Sequence, residues 1–196
     1  MPTGVAIRDP RRQLFDAADR VLLRDGPAAL TSRSVTAEAG VAKGVLHRHF
    51  ADFDAFLTEL ALDRIAGISA QADALRDAAG TGTVAGNLAA ALPALFSPAV
   101  LALIRLVIAR DELRARLRAA TGSRIPPLTE ATALVAGYLT AERDQGRLAA
   151  GADIPTLAPT LTGAAHLLFA DADGAGPDPA AVTAVVTAVL AGAEAR

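Results

Sequence analysis

The sequence predicts an all-α protein in which a small three-helix N-terminal domain precedes a larger helical bundle. Three observations predict it. Alanine is abundant while aromatic residues make up only 4% of 196 residues, a balance that favours closely packed helices over sheets. Apolar residues recur at three- and four-residue spacing along most of the chain, and no stretch alternates as a strand does. Asp9-Pro10 and Ser97-Pro98 each place a capping side chain before a proline suited to a first helical turn.

Taken in order, residues 1–8 read as a loose tail. From Pro10, Leu14, Phe15, Ala18, Val21 and Leu22 form one apolar face, and Asp25-Gly26-Pro27 stops the helix. Arg11 and Arg12 sit at its N-terminal end, against the helix dipole. Thr31 caps a second helix over about 32–39, with Val35 and Ala39 inward. Gly40 supplies a turn that Val41 plugs, and a third helix covers about 42–49. Leu46 and Phe50 point inward from it, while Lys43, Gly44, His47 and Arg48 share the opposite face with Val45 at its edge. Asp52 starts a fourth helix reaching about residue 78. It contains Gly67, which marks either a hinge or a tight crossing.

Helices then follow at about 84–96, 98–110, 112–120, 126–146, 153–170 and 179–193. The helix after Ser97 is apolar almost all round, hence buried, with Arg105 interrupting it. Residues 171–178, DADGAGPD, form a polar loop.

Composition sets further bounds. With 52% hydrophobic residues the chain can bury a large core. The absence of cysteine excludes disulfides, thiolate metal sites and a cysteine nucleophile, and fits a reducing cytoplasm. The N-terminus has no signal-peptide pattern. The long uncharged run at 78–104 is interrupted by Gly80, Gly82, Gly86, Pro93 and Pro98, so it reads as core broken by loops and no membrane span is expected. The net charge of −2 is unevenly placed. Residues 1–50 carry eight Lys/Arg against five Asp/Glu, a net of +3, and the remainder eleven against sixteen, a net of −5. A basic head on an acidic body is the charge pattern of a nucleic-acid-binding module joined to a part that should not bind nucleic acid.

Residues 30–50 therefore follow helix-turn-helix logic: one helix braces on the DNA backbone and the next enters the major groove. Lys43 is the only lysine of the chain and lies at the start of the reading helix, where a long cation suits phosphate or guanine. Gly44 permits close backbone approach, and Val45 offers a methyl surface to a thymine methyl. Thr31, Arg33, Lys43, Gly44, Val45, His47 and Arg48 form the expected DNA-contact set.

The stretch Ala39-Gly40-Val41-Ala42-Lys43-Gly44-Val45-Leu46-His47-Arg48-His49-Phe50 resembles the N-terminal domain of the TetR family of bacterial transcriptional regulators. The specific resemblance covers about residues 10–60; beyond it only length and helical character match. It implies a DNA-binding domain at 1–51, and a ligand-binding and dimerisation domain at 52–196. The chain departs from the family pattern at three places. Ala42 stands where the family usually has Ser or Thr, His47 where it has a phosphate-touching Tyr, and Phe53 where a Lys commonly reaches phosphate. These departures weaken backbone anchoring and predict a smaller salt dependence of DNA binding.

No enzyme motif is present, and no cofactor is expected. The loop 171–178 has too few acidic ligands for calcium, so no metal site is expected. The resemblance implies a small-molecule effector held between body helices. Candidates are Phe96, Arg105, Tyr138, Thr162, His166 and Phe169, in surroundings that favour an apolar ligand. It also implies a homodimer through a four-helix bundle. The helices at 126–146 and 153–170, with Ala133, Gly137, Ala141, Gly163 and Ala164, are the candidates for it. The expected function is a DNA-binding transcriptional regulator, a repressor released from a near-palindromic double-stranded operator by that ligand. Alternatives are an architectural DNA-binding protein without an effector, and a helical interaction module that has lost DNA binding.

Overall fold

The computed structural model describes residues 9–172 and 176–193, the side chains of 69–73 excepted. The expected loose tail and part of the loop at 171–178 lie outside the described residues. Among the described residues ten α-helices follow one another: α1 Pro10–Asp25, α2 Ser32–Glu38, α3 Gly44–His49, α4 Phe53–Asp77, α5 Val84–Leu95, α6 Pro98–Ala109, α7 Asp111–Thr121, α8 Pro126–Asp144, α9 Ile154–Asp171 and α10 Pro179–Leu190. A 3-10 turn, Pro27–Ala29, joins α1 to α2 and is absent from the sequence reading.

Local chemistry sets the boundaries. The Asp9 carboxylate accepts from the Arg12 backbone N–H at 3.0 Å, satisfying one orphan donor of α1. Thr31 and Ser34 form a capping box on α2, and Asp52 accepts from the N–H of Ala55 at 2.6 Å to open α4. Gly40 adopts φ +67°, the left-handed turn that separates α2 from α3. α3 begins at Gly44 and not at Ala42: no side chain caps it, and the Ala42 carbonyl accepts the Val45 N–H only as a turn.

Two apolar clusters organise the packing. The first joins the head to the start of α4 and to α6 and α7: Leu14, Phe15, Leu46 and Phe50 pack with Phe56, Leu57, Leu103 and Leu113. The core thus crosses the loop at residues 50–52, and the head is seated on the body by apolar contact. The second cluster runs through α4, α5, α8, α9 and α10 and includes Leu88, Phe96, Tyr138, Leu161 and Val186.

A Cβ added at Gly67 would meet nothing within 4 Å among the described residues, so none of the described helices crosses closely there. No single helix among the described residues is long and apolar enough to cross a membrane; α5 and α6 together would be, but they meet at 63° and contribute buried core residues.

Candidate nucleic-acid interface and body cavities

α3 is a short helix with one face in the head's core. Leu46 is fully buried, and Phe50 closes the core just after the helix. Phe15, Phe50 and Phe56 form a three-ring contact, with centroids 5.0–5.8 Å apart. The other face carries Lys43, Gly44, His47 and Arg48, all exposed. Arg33, Lys43, His47 and Arg48 have no salt bridge among the described residues, and a Cβ at Gly44 would meet open space. Thr31 is exposed, with its hydroxyl engaged in the α2 capping box. Val45 is 8% exposed and belongs to the core cluster. Its register on α3, adjacent to Leu46, turns its methyls inward.

Three interactions that sequence reasoning missed hold this surface in place. Arg11 donates to the His49 carbonyl at 3.1 Å, ion-pairs with Glu59, and lies 4.4 Å from the centroid of Phe50. A cation at the C-terminal end of α3 complements that helix's dipole. The amide of Gln13 donates to the Ala39 carbonyl at 2.7 Å and fixes the turn. Glu38 receives Arg20 at 2.7 Å and Arg24 at 3.1 Å, clamping α2 to α1. These contacts, Arg20 foremost, hold the Glu38 carboxyl below the usual range. Phe53 stacks on Phe56 at 5.6 Å and 21°, and is half-buried.

Residues 14–60 match the profile of the bacterial regulatory proteins, tetR family. Over this N-terminal part the chain is similar to the TetR family. The chain has the architecture of TetR-family transcriptional regulators along its length. Escherichia coli NemR in its reduced form superposes with a TM-score of 0.72 at 16% identity, over 92% of this chain and 95% of that one. FadR from Bacillus subtilis in complex with stearoyl-CoA gives 0.65 at 18%, over 92% and 95%. A TetR transcriptional regulator from Agrobacterium tumefaciens gives 0.63 at 22%, over 95% of each. No curated protein matches the chain significantly. At these identities the structural likeness concerns the fold.

The body of the chain holds two cavities of interest. One of about 260 Å³ lies between α4, α5 and α8, lined by alanines and leucines including Leu75, Ala91 and Leu134, with Asn87 as its polar group. The other, about 540 Å³, lies where α5, α6 and the end of α9 meet, with Phe96, Leu101 and Phe169 on its walls and Arg105 and Asp171 beside them. The structure therefore brings Phe96, Arg105 and Phe169 together. His166 joins them through its ring, 6.2 Å from that of Phe96, and burial lowers its pKa.

Tyr138 and Thr162 are not among the residues that line this cavity. The Thr162 hydroxyl donates to the Ala158 carbonyl of its own helix at 2.9 Å. The Tyr138 hydroxyl accepts from Asn87 at 3.0 Å, and burial, with the Glu142 carboxylate next, raises its pKa strongly. Glu142 is 0% exposed. Its Oε1 accepts from the Gly80 N–H at 3.4 Å, and Arg147 lies 3.3 Å from Oε2, within ion-pair range but without an aligned hydrogen bond. Arg147 also donates to the carbonyls of Thr81 and Gly82. This network ties the end of α8 to the loop that follows α4.

Proposed function

We propose that this chain is a homodimeric repressor whose α3 helices read successive major grooves of a near-palindromic operator, and that a small apolar ligand in the body releases it. The observation that carries the reading is the two-faced α3: Lys43, Gly44, His47 and Arg48 stand free on one side of a helix whose other side is core. Lys43 and Arg48 serve phosphate and guanine, and His47 replaces a phosphate-reaching tyrosine at shorter length.

The ligand reading favours the cavity between α4, α5 and α8. Its wall includes Ala74, Leu75 and Ala78 on the last turns of α4, the helix that begins at the head. A ligand there binds best to the arrangement in which α4 has moved from α5 and α8, and it shifts the population toward that state. Among the described residues the lining carries no charged one, so it suits a neutral apolar molecule. FadR of Bacillus subtilis is in complex with stearoyl-CoA, but the described lining of this cavity offers no cation for an anionic group.

The dimer reading favours α9 with α10. α10 has no charged residue between Pro179 and Leu190, and Thr183, Ala184, Thr187 and Ala188 are exposed on it. On α9, Thr156, Thr160, Gly163 and Leu167 form an exposed uncharged stripe, with Leu167 72% exposed. Gly163 has open space above it, and Ala164 lies beside it, half-buried. On α8, Ala133 and Gly137 are exposed while Ala141 is half-buried next to Glu142, and that helix ends in Arg143 and Asp144. The interface is therefore centred on α9 and α10, with Ala133 and Gly137 at its margin. Gel shift on an operator recovered from the source genome tests the reading: Lys43→Ala should weaken binding, and unchanged binding would refute the assignment of α3.

A further inference from the structure

One guanidinium of the body touches both chain segments that bracket the recognition helix. Arg110 stands where α6 gives way to α7, its backbone extended at φ −126° and ψ 105° between the two helices. Its Nη2 donates to the carbonyl of Leu30 at 2.6 Å and to that of Pro27 at 3.4 Å. Its Cζ also lies 5.7 Å from the centroid of Phe53. Leu30 immediately precedes Thr31, the cap of α2, and Phe53 is the first residue of α4. One and a half turns along α7, Arg116 makes a second grip. Its two terminal nitrogens reach the Asp52 oxygens at 3.1 and 3.2 Å, while its Nε holds Glu112 at 3.0 Å.

We infer that Arg110 is a positioning residue for DNA reading: it holds the start of α2 and the first turn of α4, and so the tilt of α3, in register with the α6–α7 corner of the body. This rests on α3 being the reading helix. The chemistry suits the task. Two of the three contacts are to backbone carbonyls, so the grip constrains main chain and not a mobile side chain. A planar guanidinium can lie near an aromatic face while donating in its own plane, which a lysine ammonium cannot match. The departure at Phe53 gains a reason: a lysine there would repel Arg110 and present no ring. The α6–α7 corner then forms a route, beside α4, by which movement of the body reaches α3.

The test uses the full chain, an operator duplex selected from source-genome fragments, and a scrambled duplex of equal length, with affinity measured across a salt series. Lys43→Ala should lose affinity and lower the salt slope by about 1, as a phosphate or base cation does. Arg110→Ala should lose about tenfold on the operator, the loss of a charge-assisted grip, with little change on the scrambled duplex and the wild-type salt slope. Amide exchange across residues 31–50 should quicken in that variant. Arg110→Lys keeps charge and stem but not the fork, and should lose operator affinity too; if Arg110→Ala fails to fold, this variant carries the prediction. Wild-type operator affinity in the soluble Arg110 variants, beside a weakened Lys43→Ala, overturns the positioning role and leaves the reading of α3 standing. A salt slope that falls with the affinity would make Arg110 a phosphate contact and also overturn it. No selected fragment, or no effect of Lys43→Ala, removes the reading of α3 itself and the inference with it.

Discussion

Arg11 and Phe50 meet at the point where α1, α3 and α4 converge: the guanidinium lies 4.4 Å from the ring centroid and donates to the carbonyl of His49 beside it. The position of Arg11 in the first turn of α1 is unfavourable for that helix's own dipole. The same side chain caps the C-terminal end of α3 and pairs with Glu59 of α4, which offsets the cost. Arg11→Ala should destabilise the protein by about 1 kcal/mol, since the contact is part-exposed. The urea midpoint would fall at unchanged slope, and operator affinity would fall with it. An unchanged midpoint would show that the contact contributes nothing.

Gly67 lies in α4 with open space where a Cβ would sit. Gly67→Ala should therefore raise stability by about 0.5–1 kcal/mol by helix propensity alone. If α4 bends there when the body moves, the variant will also bind operator while responding less to effector. Thermal unfolding reads the first effect and operator release the second. A lower midpoint would reveal a clash that the open space does not show.

The cavity between α4, α5 and α8 is lined largely by alanine, so a larger side chain can fill it. Ala91→Leu should leave the protein folded and reduce its binding of a neutral apolar probe such as N-phenylnaphthylamine, followed by fluorescence. Undiminished binding would move the ligand site elsewhere, first to the cleft of Phe96, Arg105 and Phe169.

Leu167 lies on an uncharged stripe of α9 and, at 72%, is the most exposed large apolar side chain among the described residues. Leu167→Glu should convert a dimer to monomers in sedimentation velocity without loss of helix content. A dimer that survives the substitution would place the interface on another face.

Burial lowers the pKa of His166, whose ring packs against Phe96. The unfolded chain therefore binds a proton more readily than the folded one below the ordinary histidine value of about 6.5. Stability should be full above that pH and fall as pH drops through it, down to the lowered folded value. Urea unfolding of His166→Phe compared with wild type, at neutral and mildly acidic pH, isolates this contribution, because the phenylalanine has no proton to bind.

Much of the head was legible because its signals are local. Asp9, Thr31 and Asp52 cap helices through residues three positions away, and spacing alone put Leu46 and Phe50 in the core. The grips that position α3 were not legible. Arg11 reaches across 38 residues, Arg116 across 64 and Arg110 across 80, and a charge that looks solvated in sequence gives no sign of such a partner. In the body, residue type suggested Tyr138 and Thr162 as ligand contacts. Their hydroxyls bond to Asn87 and to the Ala158 carbonyl, because a polar group buried on a helix takes the nearest available partner. The helical wheel puts Val45 at the DNA edge, yet it packs in the head's core beside Leu46 and is 8% exposed.

In the proposed function, α3 reads DNA as one of a symmetric pair. The direct measurement is selection of bound fragments from the source genome by the purified protein, followed by footprinting of the enriched site. The expected result is a protected near-palindrome with half-site centres about one helical turn apart, some 34–36 Å, or somewhat more, that Lys43→Ala no longer protects at the same protein concentration. Enrichment of no fragment at low salt, or a protected site that the Lys43 variant covers equally well, would contradict it.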